Sequence, residues 1–231
     1  MFKGARNLFQ DLLGLLYPRL CAACDEPLKR TEHQICLSCD FDLPYTDFHL
    51  HQNHPLAKQF WGRVPVNQAM ALLYYTKGSR TQHLLHQLKY QNQPEIGILL
   101  GKKIGEKLKA NGSPVQVIIP VPLHPTKERA RGYNQSEYLA RGIASVLQVP
   151  VESKLLRRMK ATETQTKKDR YTRVENMAQV FKIIKPGILE NKHILLVDDV
   201  ITSGATLEAC ALVLSIEKPA SLNIAAAAYT Q

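Results

Sequence analysis

The stretch HILLVDDVITSGATLEAC, residues 193–210, sets two adjacent carboxylates, Asp198 and Asp199, at the end of an apolar run. A short loop of hydroxyls and one glycine follows. Gly204 permits close backbone approach, and successive N–H groups in such a loop form a concave anion nest. A helix expected from about Thr206 adds the positive end of its dipole, and Thr202, Ser203 and Thr206 add hydroxyl donors. Together they suit a phosphate monoester. The GxxxxGK pattern is absent, so the segment is not a nucleoside-triphosphate loop. A phosphate held there leaves its attached sugar near the strand tip, within carboxylate reach. Paired acids accept hydrogen bonds from vicinal ribose hydroxyls, and they also suit a hydrated Mg²⁺ that bridges to a diphosphate.

A second chemical signal lies near the N-terminus. Cys21 and Cys24, and Cys36 and Cys39, form two CxxC pairs with eleven residues between them. Each pair is a two-point thiolate clamp, and two clamps make a closed tetrahedral structural zinc site. His33, His49, His51 and His54 are nearby alternative ligands, or plain surface histidines. So short a module buries little apolar surface, so metal binding would supply much of its folding energy, on the order of 10 kcal/mol. Cys210 stands alone in an expected helix and reads as a small core residue.

The elements that must position these groups read as alternating strands and helices. Strands are expected at 68–76, 115–123, 178–184, 193–199 and 222–229. Ser79 caps one helix, Pro94 begins another that stops at Asn111-Gly112, and a third runs from about Asn134 to Leu147. The alternation argues a mostly parallel, doubly wound α/β sheet, whose ligands bind beyond the carboxyl ends of its strands. Residues 1–60 hold the cysteine module, and 61–231 hold the α/β domain. Before the cysteines, Phe2, Phe9, Leu12, Leu13 and Leu16 repeat at helical spacing and give one apolar face.

Thirty basic residues against twenty acidic give a net charge of +10, so polyanions are plausible partners. Residues 154–173 carry eight of the basic residues against Glu163 and Asp169, a solvated basic loop or a binding one. No run reaches the ~18 apolar residues of a membrane span, and the N-terminus lacks a signal-peptide cleavage pattern, so a cytoplasmic protein is expected.

ILLVDDVITSGAT (194–206) is similar at every position to the phosphoribosyl-diphosphate (PRPP) signature of type I phosphoribosyltransferases. Nearly the whole chain resembles the ComF/GntX family. CAACDEPL and ICLSCDFDLP are similar to its zinc-ribbon head. HLLHQLKYQNQPEIG, IIPVPLHPTKERARGYNQSEYLARGIA and RRMKATETQTKKDRYTRVENMAQVF are similar to its other blocks. The resemblance implies PRPP bound with Mg²⁺. Asp198 and Asp199 would hold the ribose hydroxyls, and Thr202, Ser203, Gly204, Ala205 and Thr206 the 5′-phosphate. The turn after IIPVP would border the diphosphate. Lys127, Arg129, Arg131, Tyr133, Asn134 and Gln135, which follow it, would contact diphosphate or nucleic acid. Residues 157–176 correspond to a hood loop carrying Arg158, Gln165, Arg170, Arg173 and Asn176. Its closure would exclude water from an oxocarbenium-like transition state, with Arg158 and Arg170 joining the two aspartates as catalytic residues.

Two functions follow from the resemblance. One is a PRPP-binding protein of natural competence that handles single-stranded DNA, with competence-machinery proteins such as a helicase as partners. Basic residues interleaved with Tyr133, Tyr138 and Tyr171 suit phosphate attraction and base stacking, although each tyrosine reads equally well as packing. The other is an active phosphoribosyltransferase, moving the 5-phosphoribosyl group to an acceptor of nucleotide metabolism. An inactive sugar-phosphate sensor is the plainest third reading.

Overall fold

The computed structural model describes residues 18–159 and 180–230. The expected N-terminal helix, and Gln165, Arg170, Tyr171, Arg173 and Asn176 of the expected hood, lie outside them.

The cysteine head contributes α1 (Leu37–Asp42), and α2 (Pro55–Lys58) follows. The α/β part then runs β1 (Gln68–Tyr75), α3 (Arg80–Tyr90), α4 (Pro94–Ala110), β2 (Val117–Pro120), α5 (Pro125–Arg131) and α6 (Gln135–Leu147). After β3 (Leu156–Arg158) and β4 (Phe181–Ile183) come β5 (His193–Ile201), α7 (Ala205–Ser215) and β6 (Ser221–Thr230). Local chemistry sets the helix starts. Ser79 and Asn134 cap α3 and α6 with side-chain oxygens that accept from Gln82 N and Ser136 N. Pro94 opens α4, and Gly112 ends it in the left-handed region at φ 64°.

The main sheet is parallel throughout, in the order β1-β6-β5-β2. Ile194, Leu195, Leu196 and Val197 of β5 are all buried, as a strand covered on both faces requires. Crossover handedness distributes the helices. β1 leads through α3 and α4 to β2, and β2 leads through α6 to Val151, which bridges Ile118 beyond the β2 edge. Both connections run the same way along the sheet, so right-handed crossovers put α4 and α6 on one face. β5 returns the other way through α7 to β6, which puts α7 on the opposite face. α4 and α6 press together at glycines. A Cβ on Gly101 would run into the Leu139 carbonyl, and one on Gly142 into that of Ile98.

Two expected strands differ from what is observed. The 115–123 strand is confined to Val117–Pro120, because Pro122 and Pro125 lack the N–H donors that a longer ladder needs. The 178–184 strand does not join the parallel sheet. Its Phe181–Ile183 pairs antiparallel with Leu156–Arg158 as a separate ribbon. The head packs onto the β1 edge. Tyr45 bridges Leu73 antiparallel, Thr46 N donates to Leu72 O at 2.9 Å, and Tyr74 N donates to Pro44 O at 2.8 Å. That cover protects an otherwise open strand edge. Lys103 on α4 reaches Asp40 of the head at 2.7 Å.

Candidate functional site: a sugar-phosphate crevice and a four-cysteine centre

β2 and β5 are neighbours whose outgoing helices leave to opposite faces, so the crevice between their carboxyl ends is the switch point of this sheet. β2 pairs with β5 only as far as Pro120 opposite Val197, with Val121 N donating to Val197 O at 2.8 Å. Asp198 and Asp199 are the next residues along β5. The crevice therefore opens at the two carboxylates.

Asp198 is held from two sides. Its Oδ1 accepts from Ser136 Oγ at 3.0 Å and from the Asp199 N–H at 2.8 Å. Burial, reinforced by repulsion from Asp199, pushes its carboxyl up to about 7, against the pull of those hydrogen bonds and of Lys89. Asp199 meets a cation. Lys89 Nζ, in the last turn of α3, lies 3.0 Å from its Oδ2, with side-chain exposures of 22% and 14%. The like charges are thus offset by one ammonium and one hydroxyl. Neither Lys89 nor Ser136 stood out in the sequence. Lys89 carries no motif of its own, and Ser136 sits among residues read for other roles.

The loop Thr202–Thr206 turns from β5 into α7. Gly204 has φ 72°, where an L side chain is strained, and a Cβ there would meet the Phe60 ring at 3.3 Å. Thr202, Ser203, Ala205 and Thr206 are exposed, and the first-turn N–H groups of α7 have no intrahelical acceptor. Gln59 backs the loop, its Nε2 donating to Thr202 O and to the Tyr229 hydroxyl, each at 3.4 Å. An open ring of hydroxyls and N–H groups at a helix N-terminus, beside two carboxylates, can take a phosphate and an attached diol. The same two carboxylates, oxygen donors of unlike burial, fit a hydrated Mg²⁺ as partial ligands.

The remaining expected residues divide into two sets. Lys127 and Arg129 on α5 are exposed. Arg131 stacks its guanidinium 5.2 Å from the centre of the Tyr90 ring and donates to Gln135 Oε1 at 2.8 Å. Tyr133, Asn134 and Gln135 instead face inward. The Tyr133 hydroxyl donates to Leu88 O, and Asn134 donates to Val121 O at 3.0 Å while capping α6. Gln135 is fully buried. Tyr133 thus ties the start of α6 to α3, Asn134 ties it to the turn after β2, and Gln135 bonds Arg131 and the Tyr133 carbonyl. Tyr138 packs edge-on against Tyr133, with Arg141 stacked 5.0 Å from its ring centre. Arg158 on β3 lies with Pro122, Leu123, Pro125 and Glu128 around a cleft of about 500 Å³, and so adjoins the turn after β2. Its field and that of Asp198 are both felt at the buried Cys210 thiol, whose pKa is raised by burial first and by Asp198 second, while Arg158 opposes.

At the head, the sulfurs of Cys21, Cys24, Cys36 and Cys39 all lie within 4.8 Å of one another. Tetrahedral coordination at a Zn–S bond of ~2.3 Å needs sulfurs about 3.8 Å apart, and Cys24 and Cys36 are already at 3.9 Å. The donor set fits zinc. Backbone N–H groups prepare the thiolates, Cys36 N donating to Cys21 Sγ at 3.3 Å and Cys39 N to Cys36 Sγ at 3.4 Å. Burial opposes ionisation of Cys21, but the N–H groups of Cys36, Ala23 and Cys24 outweigh it and bring its thiol down to about 7. Two of the histidines are engaged elsewhere. His54 caps α2 by accepting from Ala57 N at 3.2 Å and stacks on Phe48, and His51 pairs with Asp47 at 3.6 Å.

A phosphoribosyl transferase domain model matches residues 134–231. The DNA utilization protein YhgH of Escherichia coli (strain K12) is 28% identical over 217 residues, 92% of this chain and 91% of its own. Competence protein F of Haemophilus influenzae is 27% identical over 194 residues, 81% of this chain and 80% of its own. Among solved structures, glutamine PRPP amidotransferase from B. subtilis, complexed with ADP and GMP, is similar at 18% identity and a TM-score of 0.45. That likeness covers 62% of this chain and 30% of the other. No described helix is long and apolar enough to cross a membrane. With a four-cysteine head that fits a zinc ribbon and a phosphoribosyltransferase-type domain behind it, the chain is similar along most of its length to these DNA utilization and competence proteins.

Proposed function

We propose that the crevice between β2 and β5 binds PRPP together with Mg²⁺, and that the protein handles single-stranded DNA in DNA utilization or natural competence. One observation carries the first part. Two carboxylates, Asp198 and Asp199, stand at the switch point directly beside the exposed hydroxyl and N–H loop Thr202–Thr206. Ribose hydroxyls would donate to the aspartates, the 5′-phosphate would sit on the loop, and Lys89 would shift from Asp199 toward the diphosphate. Bound Mg²⁺ supplies the charge that offsets the diphosphate. Arg158 on β3, beside the turn after β2, would face the diphosphate, and Arg170 is assigned to the hood by sequence alone.

The DNA part draws support from the names of the relatives and from one surface. Tyr90 is 61% exposed, with Arg131 stacked on it and His86 tilted against it at 4.9 Å. Lys127 and Arg129 are exposed nearby in sequence on α5. An aromatic face flanked by cations suits a base and its phosphates. Calorimetric titration with PRPP in Mg²⁺, repeated in the presence of a single-stranded oligonucleotide, tests both parts. Saturable heat in the first titration and a changed affinity in the second are expected. No heat with PRPP removes the first part, and a salt-insensitive or absent oligonucleotide signal removes the second.

Transfer of the phosphoribosyl group to an acceptor is a second reading, favoured by Asp198, whose carboxyl at about 7 exchanges its proton near neutral pH. Diphosphate release on adding purine, pyrimidine and amine acceptors tests it. No release above the acceptor-free rate with any of them contradicts it.

A further inference from the structure

The sheet has a second opening, at the end away from the aspartates. A cavity of about 400 Å³ lies where β1, β5 and β6 begin, lined there by Gln68, Leu195 and Asn223. That volume is in the range of small-molecule sites, roughly 300–1,000 Å³. Aromatic rings wall it. Phe48 and Phe60 are buried, and Trp61, 55% exposed, stands among the lining residues. Two of its polar atoms have no partner, which is unusual in a folded interior. Asn223 is 6% exposed and lines the cavity. His49 Nδ1 and Ser113 Oγ also line the cavity, and both are buried without a partner. Two unmatched polar groups and the Asn223 side chain, from three separate segments, converge on one space.

The chemistry of the lining selects a ligand class. It holds no Asp, Glu, Lys or Arg, so neither an anion nor a cation is matched by an opposite charge. Burial, with Lys107 adding repulsion, lowers the pKa of His49 and leaves its ring neutral at pH 7, with one donor and one acceptor nitrogen. Amide, hydroxyl and neutral imidazole offer paired donors and acceptors, and the rings offer flat apolar faces. A flat, uncharged heterocycle with alternating donors and acceptors on its edge meets all of these. Amide side chains pair with such edges in two-bond contacts, and aromatic rings stack on their faces.

We propose that this cavity is a binding site for a nucleobase, as the free base or nucleoside, separate from the sugar-phosphate crevice. Asn223 reads the edge of the base, Ser113 and His49 supply the remaining hydrogen bonds, and the aromatic wall covers its face. The cavity takes in none of Asp198, Asp199 and Thr202–Thr206; the Phe60 ring, which also lies against Gly204, is the wall it shares with the phosphate loop.

Trp61 is the single tryptophan of the chain and lines this cavity. Its fluorescence is followed in the full-length, zinc-loaded protein during titration with adenosine, uridine and ribose 5-phosphate. Saturable quenching by adenosine or uridine, and none by ribose 5-phosphate, is expected. Asn223→Leu, which keeps the volume and removes the amide, weakens the response about tenfold, and Ser113→Ala weakens it several-fold. Asp199→Asn keeps it, so loss of PRPP binding and loss of base binding are separate results. Ser113 lies in the turn after α4, so that variant reports even where Asn223→Leu does not fold. Failure of both nucleosides to saturate overturns the proposal, as does wild-type affinity in both Ser113→Ala and a folded Asn223→Leu.

Discussion

Replacing Asp198 by Asn should make the protein more stable above neutral pH while removing its ligand chemistry. The folded state holds this carboxyl at about 7 instead of its ordinary 3.8, because it is buried and then because Asp199 repels it. A carboxyl whose folded pKa is raised destabilises the fold once it must ionise. The cost is absent below the unfolded pKa, grows as the pH rises toward the folded one, and is constant above it. At ~1.36 kcal/mol per tenfold, the full cost at pH 8 is about 4 kcal/mol as an upper limit. Relaxation and water around the half-buried pair bring it to about 2 kcal/mol. Asn keeps the oxygen that accepts from Ser136 Oγ and the Asp199 N–H, so the hydrogen bonds survive while the charge goes. Urea unfolding of the zinc-loaded protein in Mg²⁺-free buffer, at pH 8 and pH 5, reads the effect. The variant should gain about 2 kcal/mol at pH 8, a rise of about 4–8 °C in Tm for a chain of this size, and clearly less at pH 5. A variant less stable than wild type at pH 8, or a gain independent of pH, would refute the reasoning.

Further outcomes follow from the same geometry. Asp199→Asn should weaken PRPP binding in Mg²⁺ at least about tenfold by calorimetry, since it removes a charged acceptor from the proposed ribose contact. Chelation of zinc, or Cys39→Ser, should unfold the head and abolish stoichiometric zinc measured by atomic absorption, with a loss that added Zn²⁺ reverses in the wild type only. Gly101→Ala should cost about 3 kcal/mol of unfolding free energy, because a Cβ there collides with the Leu139 backbone carbonyl on α6. Exchanging Arg129 and Arg131 together for Ala should reduce the salt slope of single-stranded oligonucleotide binding by about 1.4, as each removes one phosphate contact.

What the sequence disclosed was local. β5, the Thr202–Thr206 loop and α7 are consecutive, so their chemistry could be read from one stretch, and the two CxxC spacings likewise announce a four-sulfur cluster. The starts at Ser79, Pro94 and Asn134 are also decided within a few residues. Contacts across the chain were not legible. Lys89 joins Asp199, and Ser136 joins Asp198, only because α3 ends and α6 begins at the same crevice. The same nonlocality turned Tyr133, Asn134 and Gln135 from expected ligand contacts into buried fasteners of α6. Arg158 lies on a three-residue strand, too short to carry a period, and α5 buries no residue of its own, so neither element left a hydrophobic pattern. The cavity at the strand starts draws on segments from Phe48 to Ile224 and has no motif.

A crystal structure of the protein soaked with PRPP and Mg²⁺ tests the central claim most directly. Ribose hydroxyls on the Asp198 and Asp199 carboxylates, the 5′-phosphate on residues 202–206 and Lys89 withdrawn from Asp199 are the predicted result. An empty crevice at saturating PRPP, or a ligand bound with its phosphate away from that loop, would contradict it.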